Sequence, residues 1–290
     1  MSTESRMRFT KMEGIGNDYV YVEDFDSPMQ NAPEIARYVS DRHFGVGGDG
    51  LVLMGKSDKA DFRMRMFNLD GSEGEMCGNA IRCVGKYLYD RGITDKTVLT
   101  IDTLAGIRTL NLTLVDNKVA LVRVDMGRPI LKPRDIPVDA DGEDFIDKEL
   151  VVDGVAYRVT AVSMGNPHIV IPVKSVAELD LQKIGPAFEH HKLFPRRINT
   201  EFVEVLSRQE VRMRVWERGS GETLACGTGA CAAAVACVLN NWTDKKVTIH
   251  LTGGDLQVEW DENGMIFMTG RATIVFDGEY TLPAGVVVKR

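Results

Sequence analysis

The chain has 290 residues, 44% hydrophobic and 27% charged, with a formal net charge of −7. That balance predicts a globular protein with a substantial core, in one large or two ordinary domains. The acidic surface, with no Lys- or Arg-rich run, argues against nucleic acid or an anionic membrane as partner.

No apolar stretch approaches the roughly 20 residues of a membrane helix. Residues 1–10 are short and polar, without a hydrophobic signal region. A cytoplasmic location is therefore expected, where the five cysteines, an odd number, stay as free thiols.

In chain order, residues 63–68 alternate polar and apolar as a half-buried strand does. A Gly- and Glu-rich turn follows. A helix then starts at Cys77 and runs over about 78–90, with Gly92 as its stop. Strands are predicted at 98–102, 109–115, 119–125, 155–162, 168–173 and 202–206. Residues 212–217 repeat the strand, turn and helix sequence, the Ala-rich helix running from Gly227 to about 239 and stopping near Asn240 and Asn241. Strands at 247–251 and 256–260 follow. Many strands with few helices predict an α+β fold.

The chain repeats itself. Residues 62–78, FRMRMFNLDGSEGEMCG, align without gaps on 211–227, VRMRVWERGSGETLACG, at an offset of 149 (226 − 77). Identities are Arg63/Arg212, Met64/Met213, Arg65/Arg214, Glu73/Glu222, Cys77/Cys226 and Gly78/Gly227. Gly16/Gly165, Asn17/Asn166 and Thr103/Thr252 match at the same offset. Matches in register over most of each half predict two copies of one fold, meeting near residues 126–129, with a shared site formed by both.

Cys77 is followed by Gly78 and Asn79, Cys226 by Gly227 and Thr228, and each opens a helix. A helix start presents unpaired N–H groups and partial positive charge. The thiols are therefore expected to have pKa values lowered into the range of about 3.5–7.5, and the amides to hold a carboxylate. Removing the proton beside a carboxylate builds negative charge that such donors stabilise. One thiolate to take the proton and one thiol to supply another is what inversion of a carbon requires. Cys83, Cys231 and Cys237, inside the helices, read as core. Cys77 and Cys83 have the wrong spacing for zinc and no CxxC is present, so no metal site is predicted. A redox pair of Cys77 and Cys226 is compatible with facing thiols.

Glu217 and Arg218, where the first copy has Asn68 and Leu69, read either as a recognition pair for an amino-acid end or as an exposed ion pair. Asn17, Asn68, Asn166 and Asn199 are turn asparagines near Gly, with Asn17 and Asn166 raised by being repeat partners. His168 reads as strand packing or as a general acid or base. Residues 45–50, GVGGDG, lack the Lys and Ser/Thr of a phosphate loop and read as a flexible turn. No nucleotide or flavin motif is present, and paired cysteines make pyridoxal phosphate unnecessary.

The segments KMEGIGNDYV, FNLDGSEGEMCGNAIRC, SMGNPH, RINTEF and ERGSGETLACGTGACA make the chain closely resemble the diaminopimelate epimerase family, from Lys11 to Ala232. The resemblance implies interconversion of LL- and meso-2,6-diaminopimelate, a small amino-acid substrate, without cofactor or metal, by homodimers. It implies two similar halves, each a sheet curled around a central helix, with the site in the cleft between. The last strand would return to the first half, giving 1–126 plus 272–290 and 127–271. Cys77 would deprotonate the LL substrate and Cys226 reprotonate it. The amides of Gly78, Asn79, Gly227 and Thr228 would hold the reacting carboxylate. Asn68, Asn166, Asn199, Glu217 and Arg218 would hold the unreacting end, with Asn17 a further site residue. Some members have Gln at Gly50, the repeat partner of Asn199. Two rivals are a two-cysteine proline or hydroxyproline racemase and a thiol redox protein.

Overall fold

The computed structural model describes residues 5–290; the first four residues of the polar start lie outside them. By internal contacts the chain divides into two units. One runs to Val124 and takes in Gly270–Arg290, and the other is Asp125–Thr269. Among the described residues there are four α-helices, α1 (Ala32–Ser40), α2 (Gly78–Asp90), α3 (Leu181–Glu189) and α4 (Gly227–Leu239). The rest of the regular structure is almost all strand, giving an α+β architecture.

In the first unit α2 packs against the strands Arg6–Gly14, Asn17–Glu23 and Gly106–Val115. Its Ile81, Val84 and Leu88 are fully buried, each worth about 1.5–3 kcal/mol on leaving water. Gly85 is where the sheet comes closest: an added Cβ would meet Leu110 and Leu112 at 3.0 and 3.1 Å. The strand Thr273–Thr281 pairs antiparallel with Arg6–Gly14, setting Tyr280 opposite Met7.

In the second unit α4 is the central helix. Its run of Ala and Cys from Gly229 to Cys237 is buried, and a helix apolar all round belongs in a core. Short side chains let the strands Val155–Ser163, Pro167–Pro172 and Gly254–Trp260 close on it.

Strand register carries the duplication. Tyr19 pairs Gly50, Leu51 pairs Phe67 and Met66 pairs Gly74 in the first unit. His168 pairs Asn199, Thr200 pairs Trp216 and Val215 pairs Thr223 in the second. Every partner is displaced by 149. Beyond the central helices the offset becomes 148, because six residues (240–245) join α4 to the next strand where seven (91–97) follow α2. The equivalent of Thr103, which pairs Gly106, is therefore Leu251, which pairs Gly254. This corrects the expected match of Thr103 with Thr252.

Every predicted strand and both predicted helices form. The strands Arg6–Gly14, Asn17–Glu23, Gly50–Gly55, Lys148–Val152 and Ile266–Gly270, and the helices α1 and α3, add to them. α3 carries Pro186 within it and Gly185 against Trp216, where a Cβ would lie 2.2 Å from the ring. Tertiary packing overrides poor propensity there. Residues 45–49 form a hydrogen-bonded turn that leads into the strand Gly50–Gly55. The Gly45, Gly47 and Gly48 amides donate to the carbonyls of Asp41, Val39 and Ser40, and the Lys11 ammonium donates to the Gly47 carbonyl. Gly50 is buried, and a Cβ there would lie 2.0 Å from the Phe67 carbonyl oxygen.

Candidate active site

Two ion pairs related by the repeat, Arg65–Glu73 and Arg214–Glu222, brace the approach to each cysteine. Arg65 Nε donates to Glu73 and Arg214 Nε to Glu222, each at 2.7 Å. The pairing ties each strand to the turn that ends in Cys77 or Cys226. The repeated identities thus have a physical cause.

In the first unit Cys77 is the N-cap of α2, half-buried, with extended backbone. The Gly78 and Asn79 amides belong to the first turn, at the positive end of the helix. The Cys77 thiol donates to Asn17 Oδ1 at 3.2 Å, and Asn17 Nδ2 donates to Asp49 at 2.6 Å. Asp49 also takes a hydrogen bond from Arg42, whose other nitrogen contacts reach Asp18. Asn79 is buried and its Oδ1 accepts from the fully buried Arg82, which also donates to the carbonyls of Gly78 and Arg271. Asn68 ends its strand, with Nδ2 donating to Ser72 Oγ at 3.0 Å.

In the second unit Cys226 is the N-cap of α4 and is buried. Its Sγ accepts from the Gly229 amide at 3.3 Å and lies 3.5 Å from Thr228 Oγ1. Burial pushes this thiol well above the usual cysteine value, and the carboxylates of Glu217 and Glu201 push it further; the Thr228 and Gly229 hydrogen bonds oppose them. The expected lowering is thus overturned at Cys226. A helix start contributes about half a positive charge, and desolvation with two acidic neighbours outweighs it.

Glu217 and Arg218 face different ways. Glu217 accepts from the Thr223 hydroxyl and lies beside the Cys226 thiol. Burial raises its own carboxyl pKa, with Thr223 and Cys226 lowering it in part. Arg218 is turned outward, its guanidinium on the Arg196 carbonyl at 3.1 Å. Asn199 is buried and holds two backbones together, donating to the Pro167 carbonyl and accepting from the Arg218 amide. Asn166 Nδ2 donates to Thr228 Oγ1 at 3.2 Å, and its Oδ1 faces His168 Nε2 at 2.9 Å. His168, fully buried, also holds Glu201 at 2.7 Å through Nδ1.

The second unit therefore gathers Asn166, Glu217, Thr228 and Cys226, and the first gathers Asn17, Asn79 and Cys77. Residues the sequence did not single out are Asp49, Thr223 and Glu201. Glu201 carried one available signal, an acid within the apolar strand Asn199–Val205. A cavity of about 950 Å³, lined by Arg8, Tyr21, Tyr87 and Asp277 among others, holds none of the candidate residues.

The architecture places the chain in a class of α+β proteins already represented by solved structures. A PhzF-family phenazine biosynthesis protein from Bacillus anthracis superposes with a TM-score of 0.71 at 20% identity, covering 96% of this chain and all of that one. A hydroxyproline epimerase from Agrobacterium vitis superposes with a TM-score of 0.69 at 14% identity, covering 99% and 94%. At those identities the likeness is one of fold.

Sequence narrows the class. The diaminopimelate epimerase family model matches residues 9–132 and 160–275. A diaminopimelate epimerase of Acetivibrio thermocellus is 61% identical over 277 residues, spanning 95% of this chain and 99% of the relative. The chain belongs to the diaminopimelate epimerase family.

Proposed function

We propose that this protein epimerises LL-2,6-diaminopimelate to the meso form, a step of lysine synthesis, with Cys77 and Cys226 as the two acid–base groups. The observation that carries this reading is the pair of repeat-equivalent cysteines, each capping the central helix of its unit, in a chain of this family.

In the LL direction the Cys77 thiolate removes the α-proton. The electron pair left on carbon spreads into the carboxylate, where the amides of Gly78, Asn79, Gly227 and Thr228 stabilise it. The Cys226 thiol then delivers its proton to the opposite face, leaving Cys77 as thiol and Cys226 as thiolate. The assignment of roles is the one the family resemblance implies. At Cys226, burial and then the carboxylates of Glu217 and Glu201 favour the thiol, the form from which a proton is delivered. In the meso direction the roles exchange.

The remaining assignments belong to the same proposal. Asn17, Asn68, Asn166, Asn199, Glu217 and Arg218 bind substrate, no cofactor or metal takes part, and the enzyme works as a cytoplasmic homodimer. No helix among the described residues is long and apolar enough to cross a membrane.

The test is turnover in D₂O. LL-diaminopimelate should gain deuterium at one α-carbon as the meso isomer forms, and both proline enantiomers should gain none. Uptake into proline instead would replace this reading with a proline racemase, and no uptake into either would end it.

A further inference from the structure

The buried acid Glu201 has no place in the two-cysteine chemistry, yet it sits behind Cys226. Its carboxylate is fully buried, with Oε1 2.7 Å from His168 Nδ1 and Oε2 without a hydrogen-bond partner among the described residues. It presses on the start of α4: a Cβ on Gly229 would lie 2.6 Å from Glu201 Oε1 and 3.1 Å from Cys226 Sγ. Only glycine lets the carboxylate and the sulfur share that corner.

From Glu201 a line of hydrogen bonds runs to the sulfur. Nδ1 of His168 is taken up by Glu201. Asn166 presents Oδ1, which can only accept, to Nε2 at 2.9 Å, so in this arrangement the ring carries a hydrogen on Nε2 and donates it. This orients the amide so that Nδ2 donates to Thr228 Oγ1 at 3.2 Å. Thr228 Oγ1 accepts that bond and keeps its hydroxyl hydrogen free to turn to Cys226 Sγ, 3.5 Å away, once the sulfur has lost its own hydrogen. Each bond sets the direction of the next.

The first unit has no counterpart. At the offset of 149, Glu201 corresponds to Val52 and His168 to Tyr19, both buried. The same sheet thus folds with an apolar side chain where the second unit has buried an acid, at real desolvation cost.

We propose that Glu201 is a positioning residue for Cys226: it locks the His168 ring, and through Asn166 and Thr228 directs a hydroxyl donor at the sulfur. The donor supports the sulfur after it has given up its proton. The inference rests on the epimerase reading for its catalytic consequence, and on the hydrogen bonds alone for the relay.

The test uses Glu201→Val, the residue the first unit already tolerates, with Glu201→Gln and Thr228→Val. Misaligning one acid–base group costs on the order of 100-fold in rate. Glu201→Val should accordingly lower kcat about 10- to 100-fold with KM nearly unchanged. Glu201→Gln, which can still bond Nδ1, should recover kcat to within about fivefold of the wild type. Thr228→Val should fall as far as Glu201→Val, and the double variant Glu201→Val/Thr228→Val no further than the worse single. Full kcat in Glu201→Val, no recovery in Glu201→Gln, or losses that multiply in the double variant would each overturn the relay. Proton NMR of the resting wild type should show a slowly exchanging His168 Nε2–H resonance that Glu201→Val removes and Glu201→Gln retains; its absence from the wild type also overturns the relay. That spectrum requires no turnover, so an enzyme that moved no α-proton would fail the proposed function and leave the ring pairing standing.

Discussion

The two helix starts are alike in backbone and different in the side chains around them. Cys77 and Cys226 cap helices of equal length, each behind the same Arg–Glu brace. Around Cys77 the thiol faces an amide oxygen, and Arg82 is buried in the same helix. Around Cys226 stand Glu217 and Glu201, and the position matching Arg82 is Cys231, also buried. Duplication supplied the backbone twice, and the two copies differ in the buried side chains set behind each sulfur. A helix N-terminus therefore does not by itself fix the ionisation of the cysteine it carries.

The largest effect should come from removing either sulfur. Cys77→Ala and Cys226→Ala should each lower epimerisation by about 10²–10⁴-fold, the span of general acid–base contributions, read as meso product formed from the LL isomer. A variant that kept full rate would end the equivalence of the two cysteines.

Next comes stability, at a position where the copies differ. Gly50→Asn gives the first unit the residue that the second has at Asn199. The new Cβ would meet the Phe67 carbonyl 2.0 Å away, so the strand must shift. We expect a loss of about 3 kcal/mol in urea unfolding.

A third variant, Glu217→Gln, tests the charge difference. The Glu217 carboxylate disfavours the neighbouring thiolate and so raises the Cys226 thiol. Removing that charge should move the Cys226 titration to lower pH, followed by ultraviolet thiolate absorbance in a Cys77→Ala background. A move to higher pH would show that Glu217 acts chiefly as a hydrogen-bond partner.

The smallest effect belongs to what the copies share. Glu73→Ala and Glu222→Ala each break a partly exposed ion pair and should cost no more than about 1 kcal/mol, equally in both units. A large difference in unfolding midpoint between the two would mean that the braces are not equivalent.

How much was legible beforehand depends on how local the cause is. The alternation of residues 63–68 and 212–217 and the glycines after each cysteine act within a few residues, and those strands and helix starts formed where expected. α1 and α3 escaped notice. Both are short, and α3 holds Gly185 and Pro186 because the Trp216 ring occupies the space above it. The match of Thr103 with Thr252 failed because one residue is missing from the loop after α4, a change that a gap-free comparison cannot see. His168 read more readily as strand packing than as chemistry, since its partner Glu201 lies 33 residues away in the chain.

By itself, the amino-acid sequence determined the duplication, the α+β class, and the two cysteines at the heads of two helices. Those properties follow from periodicity and from backbone rules that act over a turn or a strand. The state of the Cys226 sulfur was decided only in the tertiary structure. Ionisation depends on burial and on charges a few ångströms away, and chain segments distant in sequence supply both.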